Sequence, residues 1–404
     1  MNFFTFFPKA TTSAAILTAL IFTTGCDKKK EEAAKEKDLP VTITQQISPE
    51  THTWYAFTTQ GMESVDLPQH ANSQLKRAWT EAIRISSMGT CLSPVKGLPG
   101  SMQESDVPPA YALVNRLGML VLDGGEPKLV KEPSTFTNNT ADNLVFYGDI
   151  PIFSMYRNSF FNDSSTSNAS QPFLVKYDRA SGMCIPLVTY QNLMVEKNAQ
   201  ITDFTWNGVE WLCALKTQTD ERVIFDYIKW TPSGDITELS PMKNSNKIAV
   251  AEAGEKEFRN TKLPTDFSLA PDRLKNLLNV IPKDFSFYII SKHTSGFSPT
   301  VYAQGEQSDN FGGTALLSDT YAIAVFQDGT TYLSGALYGK HILGREKAVA
   351  FRLPKLPKGY VYSDFAVSGT YLYVAWEEAD FYQTGRSGFL AVDLDKVLYS
   401  KPEA

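Results

Sequence analysis

From residue 41 onward the apolar residues fall in short runs closed by Gly, Asn, Ser or Asp, the pattern of strands joined by tight turns. Two runs match closely. Asp203-Phe204-Thr205-Trp206-Asn207-Gly208-Val209-Glu210-Trp211-Leu212-Cys213-Ala214 aligns with Asp364-Phe365-Ala366-Val367-Ser368-Gly369-Thr370-Tyr371-Leu372-Tyr373-Val374-Ala375 in its Asp-Phe pair, its turn glycine and its later small residue. Each reads as a hairpin, because glycine accepts the positive φ that a tight turn requires. Weaker copies run from Val114 to Gly118 and from Leu144 to Gly148, and a copy after Leu316-Leu317 carries Asp319 in place of glycine. Asp284-Phe285 opens another strand without the glycine. Turns at 118, 148, 208, 319 and 369 imply a repeat of roughly 40 to 50 residues, the period of a propeller blade.

The expected fold is therefore all-β: a β-propeller of about seven blades, with six or eight also compatible, over residues 41–404. Burial favours stacking of sheets. Between Val209 and Leu215 both alternating sets are largely apolar, Trp211, Cys213 and Leu215 against Leu212 and Ala214, so both faces should be covered. Outer strands are read at Pro172–Asp178, Met183–Val188 and Val223–Trp230. A β-sandwich pair or a β-helix is the alternative arrangement. Two short inserted helices are expected, Ser73–Ser87 with Leu75, Trp79 and Ile83 at helical spacing, and Pro271–Val280 with proline in its first turn.

Ahead of this region lies a different pattern. Ala10–Gly25 is an apolar stretch shorter than the roughly 20 residues of a spanning helix, and it ends in small residues before Cys26. Phe22-Thr23-Thr24-Gly25-Cys26 resembles the lipobox of bacterial lipoproteins, with Thr23 where leucine is usual, a looser form found in spirochaetes. The resemblance implies a signal peptide over residues 1–25 and lipidation of Cys26. Asp27–Asp38 has no apolar face, so residues 26–40 read as the lipidated cysteine and a flexible charged tether.

Composition narrows the function classes. Aromatic residues make up 12 %, and the net charge of −6 offers no basic stripe for nucleic acid. Beyond Cys26 only Cys91, Cys184 and Cys213 remain, so at most one disulfide can form. Four scattered histidines give no zinc spacing, and no structural metal or cofactor is expected.

No nucleophile elbow, phosphate loop or zinc-protease motif is present. Asp203, Asp284 and Asp364 are the candidate ligand-contacting or channel-lining positions. The alternative is that each pins its own hairpin through backbone amides. Glu377-Glu378-Ala379-Asp380 reads as an acidic loop, and Tyr371, Tyr373, Trp376, Phe381 and Tyr382 as an aromatic group that either packs between blades or stacks a ligand.

The segments Phe381–Leu394 and Trp79–Arg84 resemble propeller-like lipoproteins of spirochaetes, treponemes especially. That implies an exported protein held at the cell membrane or outer membrane. The function expected is a binding scaffold for an envelope protein, peptide or ligand, and the rival is a carbohydrate hydrolase or lyase on the same fold.

Overall fold

The computed structural model describes residues 42–66, 77–78, 83–91, 107, 109–132, 136, 139–147, 150–157, 172–189, 199–206, 211–218, 223–230, 286–291, 300–303, 311–317, 321–337, 340–341, 348–378, 382–383 and 386–399. Two compact units divide the chain, 1–40 and 41–404, and the described residues all belong to the second.

That unit is all-β, apart from a short 3-10 turn at Pro49–Thr51, a helical residue at Phe136 and a closing helix at Leu394–Tyr399 among the described residues. Strands adjacent in sequence pair antiparallel into successive sheets. Strands 85–90, 110–114, 118–122 and 128–131 form one four-stranded sheet; strands 139–147, 150–157, 172–178 and 183–189 form the next. A three-stranded sheet follows over 199–206, 211–218 and 223–230. An eight-stranded sheet gathers strands from 286 to 352 and adds 42–46 in parallel beside 348–352.

The terminal sheet is built from both ends of the chain. Strands 360–368, 371–378 and 387–393 continue into 52–58 and 61–65. His52 lies opposite Val392 and Ala56 opposite Gly388 in antiparallel register. Gly388 is required there, because a Cβ would stand 1.9 Å from the Tyr55 carbonyl oxygen and 2.6 Å from the Trp376 ring.

Alternation along each strand feeds two cores at once. In 371–378, Leu372, Val374 and Trp376 pack against Ile323, Leu333 and Phe351 of the eight-stranded sheet, whereas Tyr373 and Ala375 pack with Met88, Ala112 and Leu120. In 110–114, Ala110, Ala112 and Val114 face the terminal sheet, and Tyr111 and Leu113 face Phe153, Met155 and Val175. Strands covered on both faces are the expected arrangement, and Leu113, Leu120, Leu372 and Val374 show no exposed surface. The burial expected between Val209 and Leu215 lies on side chains outside the described residues.

The predicted hairpins form where their strands are described. Ser368 opposes Tyr371 around Gly369, whose φ of +60° is the left-handed conformation that glycine tolerates. Tyr147 opposes Ile150, and Trp206 opposes Trp211. The turn at Gly118 is a correction to the repeat. It joins the second and third strands of its sheet, whereas 148, 208 and 369 follow first strands. In that sheet the first strand ends at Thr90, and a long connection replaces the tight turn.

The helix expected over Ser73–Ser87 is also corrected: Arg77–Ala78 pairs with 382–383 and Ile85–Thr90 is the first strand of its sheet. The helical spacing of Leu75, Trp79 and Ile83 is a local pattern, and pairing of 77–78 with 382–383 and of 85–90 with 110–114 overrides it. The helix expected over Pro271–Val280 lies outside the described residues.

Candidate functional site

First strands carry bulges at matching places. The register shifts between Tyr362 and Asp364, between Ile201 and Asp203, and between Ile85 and Ser87, and strand 139–147 shifts opposite Ile152 and Ser154. A bulge interrupts the ladder and re-aims side chains, here toward the neighbouring sheet.

Asp364 uses that freedom. Its Oδ2 accepts a 2.8 Å hydrogen bond from the Met88 N–H on the adjoining sheet, and its Oδ1 accepts one of 2.8 Å from the Phe365 N–H. Related links follow. Thr90 Oγ1 accepts from the Val367 N–H at 2.8 Å, and Asn115 Oδ1 accepts from the Ala141 N–H at 3.3 Å. These side chains satisfy backbone donors that the bulged ladders leave open.

The Asp364 carboxyl is half-accessible at its surface yet densely surrounded, and this burial pushes its pKa up to about 7. The two amide donors oppose the shift; nearby Glu377 and Asp142 reinforce it. Glu377 pairs with Arg84 at 3.5 Å, both side chains being nearly enclosed. Asp364, Glu377 and Asp142, all half-buried, thus converge from two sheets, with Arg84 supplied by a third. A carboxyl that titrates near neutrality beside a guanidinium-held carboxylate can exchange a proton or contact a cation. Among the described residues no group of three or more His, Cys, Asp or Glu side chains is arranged to hold a metal ion.

Asp203 stands at the bulge of its own strand, equivalent to Asp364, and its side chain lies outside the described set; Asp284 and Cys26 lie wholly outside it. Glu377 and Glu378 belong to strand 371–378, so the acidic loop expected there is corrected to a strand end, held by Arg84. Tyr373 and Trp376 are buried core residues, and Tyr371 is half-buried. Cys91 and Cys184 are both thiols, one buried and one half-buried. Sequence reasoning passed over Arg84 and Asp142. Asp142 had a signal: it stands six residues before Gly148, close to the five that separate Asp203 from Gly208 and Asp364 from Gly369.

The profile of a family of unknown function, DUF8086, matches residues 43–396. The chain belongs to the DUF8086 family. The matched region takes in every described strand after the first and half of the closing helix. The chain is also similar to an uncharacterized lipoprotein of Treponema pallidum (strain Nichols), 24 % identical over an alignment of 270 positions that covers 60 % of this chain. The match likewise spans 60 % of that relative's length. No helix among the described residues is long and apolar enough to cross a membrane.

Proposed function

We propose that this protein is a lipid-anchored envelope lipoprotein whose DUF8086 domain is a β-propeller serving as a binding scaffold. The observation that carries the reading is the terminal sheet, in which residues 52–65 complete a sheet begun at 360–368. A ring of stacked sheets that is closed by strands from both chain ends leaves no open sheet at either terminus. With the turn register corrected, first strands end near 91, 148, 208 and 369. Strand 311–317 opens an antiparallel run inside the eight-stranded sheet and ends near 319, and the interval from 208 to 319 has room for one more unit. A period of about 50 to 60 residues then supports six blades.

The anchor is Cys26. The apolar stretch before it, the small residues beside it and the lipoprotein relative all support acylation there. Several acyl chains hold a protein stably where one holds it marginally. Residues 27–40 then act as a tether that leaves the domain's faces accessible to an envelope protein or peptide.

Feeding cells an alkyne-tagged fatty acid tests the anchor. The wild-type chain is expected to take up the tag and to sediment with membranes, and Cys26→Ala to lose both properties. Tag retained on Cys26→Ala would remove the anchor from this reading. Crosslinking in intact envelopes tests the scaffold role, which fails if no envelope protein is captured at a defined site on the domain.

A further inference from the structure

Away from the acidic cluster, a half-open cleft of about 270 Å³ lies between the terminal sheet and the turn after strand 118–122. Its aromatic residues are Tyr55 and Tyr371, each stacked on a second ring. Tyr55 stacks on Phe389 at 4.7 Å and 9°, and Tyr371 on Tyr373 at 6.0 Å and 22°. The Tyr373 hydroxyl donates to the Gly125 carbonyl at 3.2 Å, fixing the turn that presents Glu126. Burial raises the Tyr55 pKa, and Glu126 and Tyr371 raise it further, so these three groups adjoin.

Charge in the cleft is unbalanced. Among the described residues, Glu50, Glu126 and Asp393 line it with a single ammonium, Lys396, which pairs with Asp393 at 3.6 Å. The Ser48 hydroxyl donates to the Glu50 carboxylate and lowers its pKa, which keeps it ionised. His52 also lines the cleft. Its Nδ1–H donates to the Ser48 carbonyl at 3.0 Å, and burial lowers its pKa, so it adds no positive charge at neutral pH.

We propose that this cleft binds a small organic cation, a primary ammonium borne on a short alkyl chain or on a sugar. Two fixed tyrosine rings offer their quadrupoles to a cation. Excess carboxylate concentrates positive charge in a concave site. The volume lies just under the usual range for drug-sized ligands, which limits the occupant to about a dozen heavy atoms. The site deepens the scaffold reading by naming a ligand, and it depends on neither Cys26 nor the blade number.

Isothermal titration calorimetry on the full chain in detergent tests it, with cadaverine, glucosamine and the neutral 1,5-pentanediol as probes. Cadaverine or glucosamine is expected to bind and pentanediol not to; which amine binds more tightly tells the alkyl source from the sugar source. Glu126→Gln is expected to weaken amine binding about fivefold, and Tyr371→Leu about threefold, with Tyr371→Phe close to wild type. Each variant is first checked for an unchanged melting transition. Equal binding of pentanediol, no amine heat up to about 10 mM, or wild-type affinity in folded Glu126→Gln would each overturn the proposal. These outcomes are separate from fatty-acid labelling at Cys26, so loss of one reading leaves the other standing.

Discussion

Met88 and Asp364 stand 276 residues apart in sequence, and the N–H of the first donates to the carboxylate of the second at 2.8 Å. This bond ties the first strand of one sheet to the first strand of the terminal sheet. Asp364 sits just past its bulge, and the same carboxyl also receives its own neighbour's amide. It is therefore a joint between layers as well as a member of the acidic cluster, its own pKa raised by burial.

Asp364 should make stability depend on pH. Its folded pKa, about 7, lies above the ordinary 3.8, so the folded protein binds the proton more tightly than the unfolded chain. The corresponding stability is full below about pH 4 and is lost as pH rises through about 7. Thermal melts between pH 4 and 8 check this: wild type is expected to weaken across the range, and Asp364→Asn to show a flatter profile. Asp364→Ala, which leaves two amide donors without their acceptor, should cost about 1–3 kcal/mol.

Closure of the terminal sheet rests on a glycine. Gly388→Ala forces a Cβ against the Tyr55 carbonyl, so strand 52–58 must shift away from 387–393. A loss of about 2–4 kcal/mol in urea unfolding is expected. Trp54→Ala empties the core of the same strand and should cost about 3–5 kcal/mol.

The Arg84–Glu377 pair is nearly enclosed at both ends. Removing one partner leaves a charge in poor solvent. Glu377→Leu is expected to lower stability by about 3 kcal/mol. Salt should weaken the wild-type pair much less than it would an exposed one. Chemical denaturation of both proteins in urea at low and high salt measures each effect.

Thiol reactivity reports the two neighbouring cores. Cys91 has 1 % of its surface exposed, and burial followed by the Glu132 carboxylate pushes the Cys184 thiol well above its ordinary range. Cys184 lacks the thiolate character that alkylation needs, and Cys91 is closed to the reagent by its burial. Mass spectrometry after iodoacetamide at pH 8 should find both unmodified in the native state and modified in denaturant. Rapid native labelling of Cys184 would contradict its placement beside Glu132.

Much of the fold was legible in the sequence, for local reasons. The Ser368-Gly369 and Asn207-Gly208 turns and the apolar runs beside them specify hairpins through φ freedom and strand alternation alone. The strands at 172–178, 183–189 and 223–230 were legible in the same way. The segment 73–87 was misread because Leu75, Trp79 and Ile83 fall at helical spacing by local pattern, whereas its strands form by pairing with partners far away in sequence. Gly118 misled the repeat in a similar manner, since which hairpin of a sheet a turn belongs to depends on the order of its strands.

The sequence by itself determined an all-β domain of repeated hairpins and a lipobox-like cysteine ahead of it, because turn chemistry and apolar period act over a few residues. Only the tertiary structure decided that residues 52–65 complete the sheet of residues 360–393. It alone brought Asp142, Asp364, Glu377 and Arg84 together. Those relationships span hundreds of residues and follow from sheets burying both faces, and no local pattern encodes which sheet will cover which.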